Sequence, residues 1–149
     1  MMDWRYITIQ EVEQTHKMTL EYSGGGLDGA RALDLLDSVL AHIRNDEYYP
    51  AIEDKLTHLF FSVCKFHVFL DGNKRLAINL CTQMLLINGF TFCAKTFINR
   101  AENISYHVAA GCISKELLGD WIYEIIWEAE ESESIRLRIL EAISESDEK

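Results

Sequence analysis

A chain of 149 residues, 48% hydrophobic and 26% charged, is long enough for one domain that buries its own core. Its formal net charge of −10 argues against direct nucleic-acid binding, which needs a basic face to neutralise phosphates, and no uninterrupted apolar run approaches the length of a membrane span. The opening Met-Met-Asp-Trp-Arg-Tyr lacks a signal-peptide core, and Cys64, Cys81, Cys93 and Cys112 show no zinc spacing, so the expectation is a cytoplasmic protein with reduced core thiols and no membrane partner.

The elements read as helices almost throughout, and the expected fold class is all-α. Thr8-Ile9-Gln10-Glu11 has the Thr-x-x-Glu form of a capping box, and Ile9, Val12, His16 and Leu20 then share one face. On that apolar stripe His16 reads as a hydrogen-bonded core histidine rather than a catalyst. Glycines at 24–26 end this first helix. A second helix is expected over 28–44, with Leu33, Leu36, Val39, Leu40 and Ile43 inward. Pro50, the sole proline, fits the first turn of the next helix, where its missing N–H is harmless. That helix buries Ile52, Leu56, Leu59, Phe60 and Val63 and delivers His67 at its C-terminal end.

The following helix, over 73–88, is apolar around most of its circumference, which makes it the buried centre of the bundle; Gly89 stops it. Residues 90–93 alternate weakly, as in a short extended segment. Helices near 99–111 and 114–129 follow, the latter with Trp121, Ile122, Ile125 and Ile126 as core. A last helix over 132–144 places Ile135, Ile139 and Ile143 at a spacing of four, with Leu140 beside them. Half of the acidic excess lies in residues 128–149, where eight acidic side chains face three basic ones, and this end reads as a solvated face.

The residues that carry chemistry lie between the third helix and the central one: His67-Val68-Phe69-Leu70-Asp71-Gly72-Asn73-Lys74-Arg75. A helix N-terminus exposes unpaired N–H groups and the positive end of a dipole, so its first turn usually holds acids. Here Lys74 and Arg75 occupy it, an arrangement suited to phosphate groups. The imidazole of His67 is suited to act as a general base; Asp71 can offer an oxygen to Mg²⁺; Gly72 permits the left-handed turn that lets amides approach an anion. A GxxxxGK loop is absent, and the GxGxxG spacing of Gly24, Gly26 and Gly29 follows an expected helix rather than a strand, so neither common nucleotide fold is indicated.

This stretch resembles the signature of the Fic/Doc family: His, any residue, Phe, any residue, Asp or Glu, then Gly-Asn, Gly or Lys, and Arg. Seven specified positions would coincide by chance at a given start about once in 10⁹. The Lys74 form is similar to the Doc, or death-on-curing, branch. Likeness extends from about Tyr6 to Trp127, so residues 1–131 read as a Fic/Doc-like helical bundle and 132–149 as a C-terminal helical extension.

The resemblance implies a catalytic base at His67, a metal ligand at Asp71, and nucleotide contacts from Gly72, Asn73, Lys74 and Arg75, with ATP and Mg²⁺ as cofactors. Adenylylating relatives usually read HPFxxGNGRxxR, whereas Val68, Lys74 and Ile78 stand at the Pro, the Gly and the second Arg. Those departures resemble the Doc arrangement, in which the γ-phosphate of ATP moves to a Ser or Thr hydroxyl. The resemblance thus implies the toxin of a toxin–antitoxin pair that arrests translation by phosphorylating elongation factor Tu, with a cognate antitoxin as partner. Self-inhibiting relatives carry a helix with Ser or Thr four residues before Glu-Gly or Glu-Asn, and no such motif occurs here. AMP transfer and a catalytically inactive binding module are the alternatives. A target-docking flap is expected near the site, at 24–29 or at 45–50.

Overall fold

A computed structural model describes residues 3–22, 24, 29 and 32–147. Within them seven helices follow one another: α1 (Ile9–Tyr22), α2 (Leu33–His42), α3 (Ile52–Phe66), α4 (Asn73–Ile87), α5 (Thr91–Ala109), α6 (Lys115–Trp127) and α7 (Glu133–Asp147). The architecture is the all-helical bundle the periodicity calls for. No helix among the described residues is long and apolar enough to cross a membrane.

Several helix ends have local causes. At α1 the capping box forms: Glu11 N–H donates to Thr8 Oγ1 at 3.2 Å, and Thr8 N–H donates back to Glu11 Oε1 at 3.2 Å. At α3 half of that device appears, with Ala51 N–H donating to Asp54 Oδ2 at 3.1 Å. Pro50 sits one residue outside this cap rather than in the first turn, so it sets the approach of the chain and not the helix itself. Gly89, at φ 86°, provides the left-handed stop after α4.

Two boundaries differ from the sequence reading. The second helix begins at Leu33, not at 28, and ends at His42; residues 28, 30 and 31 lie outside the described set. Residues 90–93 are not extended: α5 already begins at Thr91. Phe90 is buried between Trp4, stacked at 6.2 Å, and Trp127, edge-on at 5.7 Å. From there Cys93, Ala94, Phe97, Ala101, Ile104 and Val108 form one buried helical stripe, and this longer pattern overrides the brief alternation of Phe90 and Phe92.

α4 is flanked by α1, α3 and α5, and α3 in turn touches α2, α4, α5 and α6, so the two share the centre. Leu76, Ala77, Leu80, Cys81, Met84 and Leu85 of α4 are wholly buried, as are Leu56, Leu59, Phe60 and Val63 of α3. The site loop joins these two rods, which gives it rigid walls. α7 packs on α6 through Ile135 and Ile139. Ser132 caps it, accepting from Ile135 N–H at 3.1 Å, while Glu124 holds Ser132 by its N–H and hydroxyl. Leu140, beside that stripe, stays exposed.

One polar cluster far from the site links stability to pH. Lys115 Nζ donates to His58 Nδ1 at 2.9 Å, which leaves the ring proton on Nε2, buried without an acceptor among the described residues. His42 and Tyr49 lie against the same ring. Burial first, then the charge of Lys115 and the proximity of His42, push the imidazole down from 6.5 to about 4. Below pH 6.5 the unfolded chain takes up a proton that the folded chain refuses until about pH 4. This contribution is therefore whole above pH 6.5 and is lost as pH falls towards 4. With the partial exposure of the ring discounted, it amounts to about 1–2 kcal/mol. Urea titrations near pH 7 and near pH 4.5 should show the parent losing more stability than His58→Gln; equal losses would discard the assignment.

Candidate active site

The loop between α3 and α4 is built from both ends. α3 stops when His67 turns left-handed, at φ 49° and ψ 52°, a region that costs a non-glycine residue about 1 kcal/mol or more. The turn throws the imidazole outward, and His67 is exposed. Val68 and Phe69 then dive into the core, at 0% and 3% exposure. Leu70 and Asp71 return to the surface, and Gly72 at φ 81° leads into α4.

Gly72 is required twice over. Its φ is in the glycine region, and a Cβ there would lie 3.2 Å from Leu20 Cδ2 and 3.6 Å from His16 Nε2. The side chain of Asn73 staples the loop: Oδ1 accepts from Phe69 N–H at 3.0 Å and Nδ2 donates to Phe69 O at 2.8 Å. That amide is thus committed to the backbone, and what Asn73 retains for a ligand is its main-chain N–H. Among the described residues no side-chain cap bond is found at the start of α4, and its first turn holds no acid. Lys74 and Arg75 are exposed on that turn, so the N-terminal amides of α4 and two cations lie at the same end of the helix.

Two elements outside the motif shape this loop. His16, wholly buried on α1, stacks on Phe69 with ring centroids 3.8 Å apart and 13° between planes, and its Nε2 lies 2.7 Å from the carbonyl oxygen of Asp71. It is the core histidine the stripe indicates, and it reaches the loop as well. The second element is the backbone of Gly29 and Ala32. Ala32 N–H donates to Val68 O at 3.0 Å, and Leu70 N–H donates to Gly29 O at 2.9 Å. A Cβ on Gly29 would meet Leu70 Cδ1 at 2.9 Å, a contact that the exposed Leu70 side chain can relieve by turning away. Of the two flap candidates, then, 24–29 adjoins the site at its described end, while residues 25–28 lie outside the described set. Segment 45–50 precedes α3, whose 15 residues put it about 22 Å from His67.

Arg75 also lines a groove of about 570 Å³ between α1, α4 and α5, walled by Met18, Thr19, Ile78, Asn79 and Ile98. Ile78, where adenylylating relatives carry a second arginine, is 7% exposed. A separate groove of about 690 Å³ lies between α5 and α7, away from the loop.

The donor set has a definite metal chemistry. Among the described residues no three His, Cys, Asp or Glu side chains are arranged to hold a metal ion. Asp71 brings one exposed carboxylate, which suits Mg²⁺ arriving with phosphate oxygens and keeping several waters. The nearby thiol of Cys64 takes no part: burial pushes it up to about 12 despite the opposing charges of Lys74 and Lys65.

Comparison with known proteins agrees with this geometry. The model of the Fic/DOC family matches residues 6–85, which span α1 to most of α4 and include the whole loop. A curated relative, "Toxin Doc" from Mycolicibacterium smegmatis, is 35% identical over 89 residues, covering 57% of this chain and 68% of the relative. With the signature loop intact between α3 and α4, the chain belongs to the Fic/DOC family.

Proposed function

We propose that this protein is the toxin of a toxin–antitoxin pair and transfers the γ-phosphate of ATP to a Ser or Thr hydroxyl of a target protein, elongation factor Tu in the first instance. The observation that carries the reading is the first turn of α4, without a side-chain cap among the described residues, with Lys74 and Arg75 on it and Ile78 one turn further in place of a second arginine. The relative bearing the name Toxin Doc supports the toxin role and, with it, a cognate antitoxin. On this reading the protein works in the cytoplasm, residues 1–131 form the transferase body, and 132–149 are an addition to it.

ATP with Mg²⁺ supplies the phosphoryl group, and Asp71 is the side chain that holds the metal. The amides at Gly72 and Asn73 and the charges of Lys74 and Arg75 take the phosphate oxygens. His67 Nε2 or Nδ1 accepts the hydroxyl proton as the acceptor oxygen bonds to the γ-phosphorus and the bond to the β,γ-bridging oxygen breaks, releasing ADP. Such transfer depends on placement and charge stabilisation. An extended target segment would lie beside the loop near Gly29 and Ala32, whose backbone pairs with Leu70 and Val68.

Target incubated with γ-labelled or α-labelled ATP tests the reaction. Label is expected from the γ-position alone; label from the α-position alone would replace phosphoryl transfer by AMP transfer. Calorimetry with Mg-ATP addresses the binding-module alternative, since a chain with no nucleotide affinity cannot be this transferase. Arg75→Ala should weaken nucleotide binding about tenfold or more and slow turnover as well. Expression without the antitoxin should arrest growth of a bacterial host, and unhindered growth with folded protein present would remove the toxin role.

A further inference from the structure

We propose that His16 is a positioning residue for the phosphate-binding amides: from α1 it holds the Asp71–Gly72 peptide plane so that the Gly72 N–H is turned towards the ligand. The inference rests on the transferase reading above and names a residue outside the signature.

A carbonyl oxygen only accepts, so the 2.7 Å contact requires the proton of His16 on Nε2. The imidazole is wholly buried on the core side of the loop. The carbonyl of Asp71 therefore points inward. No cis peptide occurs among the described residues, and in a planar trans unit the C=O and the following N–H point in opposite directions. Pulling the Asp71 oxygen towards α1 aims the Gly72 N–H away from it, outward, and among the described residues that N–H has no acceptor. Gly72 in the left-handed region followed by helical Asn73 then gives consecutive amides facing one concavity, the geometry of an anion nest.

The same ring braces the loop at a second point. Its face stacks on Phe69 at 3.8 Å, and Phe69 is itself pinned by Asn73. One flat side chain with a donor on its far edge thus sets both the depth of the loop and the tilt of its last peptide. Phe would keep the face and lose the edge. Gln would keep a donor near the Nε2 position and lose the face.

This pair of variants separates the two roles. The full chain, labelled with ¹⁵N, is titrated with Mg-ATP while the amide signals of Gly72, Asn73 and Lys74 are followed. In the parent, the Gly72 amide should move on binding. His16→Gln should bind within about threefold of the parent and keep that response, whereas His16→Phe should lose about tenfold to a hundredfold in affinity and leave the Gly72 amide unmoved. His16→Phe with parental affinity, or His16→Gln losing as much as His16→Phe, would overturn the proposal. Should His16→Phe fail to fold, the parent still decides, because binding that leaves the Gly72 amide unmoved overturns it. A parent that binds no Mg-ATP at all brings down the transferase reading first, which is a different result from parental binding that is indifferent to residue 16.

Discussion

His67→Ala is expected to cut transfer by a factor of about 10²–10⁴, the usual worth of a positioned general base, while the folded chain persists. Two observations separate activity from stability here. His67 is exposed, so no core contact goes with the ring. It also occupies a left-handed backbone position that stabilises nothing and costs a side-chain-bearing residue about 1 kcal/mol or more. His67→Gly sharpens the test, since glycine relieves that strain and should raise stability by about 0.5–1 kcal/mol while remaining equally inactive. A protein more stable and yet inert is the signature of strain kept for function. Phosphate incorporation into the target and a thermal melt of each variant are the measurements. Undiminished transfer by His67→Ala would strip the imidazole of its role as base, and a large fall in melting temperature would mean the ring supports the fold instead.

What could be read from the sequence divides along physical lines. The helix starts at Thr8 and the burial of Leu56, Leu59, Phe60 and Val63 follow from local rules, a cap and a 3.6-residue stripe, and both appear in the structure. The placement of the loop between α3 and α4 follows too, because the periodicity stops and restarts around it. The start of α5 is not legible locally, because four residues cannot distinguish alternation from the edge of a helical stripe, and only Cys93 to Val108 taken together decide it. The start of the second helix is hidden in the sequence because nothing local marks Ala32 as its cap: its N–H is satisfied across space by Val68 O. Contacts of that kind, His16 to Asp71 among them, join residues more than thirty apart. A stripe reveals that His16 faces inward, but only the packing of α1 on α4 reveals which carbonyl it meets.

Lys55 is the residue whose role no pattern announced, and its removal should cost the fold heavily. Lysine is seldom fully buried, yet this side chain is 0% exposed. Its ammonium donates to Ile43 O at 2.8 Å, at the C-terminal end of α2 where a positive charge is favoured, and to Asp46 Oδ1 at 2.6 Å. The rings of Tyr6 and Trp4 lie 5.4 and 6.0 Å away, so the N-terminal segment closes over the same charge. Lys55→Ala removes a long stem from a packed core and strands the Ile43 carbonyl, and should cost about 3–5 kcal/mol. For a chain of this size that is a fall of about 10 °C or more in melting temperature. Lys55→Met keeps the volume and loses only the ammonium; with one buried carbonyl unsatisfied it should cost about 1–3 kcal/mol. Asp46→Asn should be milder still, because Asp46 is largely open to water and Lys55 keeps the carbonyl. The order Ala, Met, Asp46→Asn, from most to least damaging, is the test. Lys55→Met matching or exceeding the parent would mean that the buried charge contributes nothing to stability. Since His67 lies twelve residues further along α3, about 18 Å away, each variant should transfer phosphate normally per folded molecule, and a specific loss of turnover would tie this end of the rod to the site.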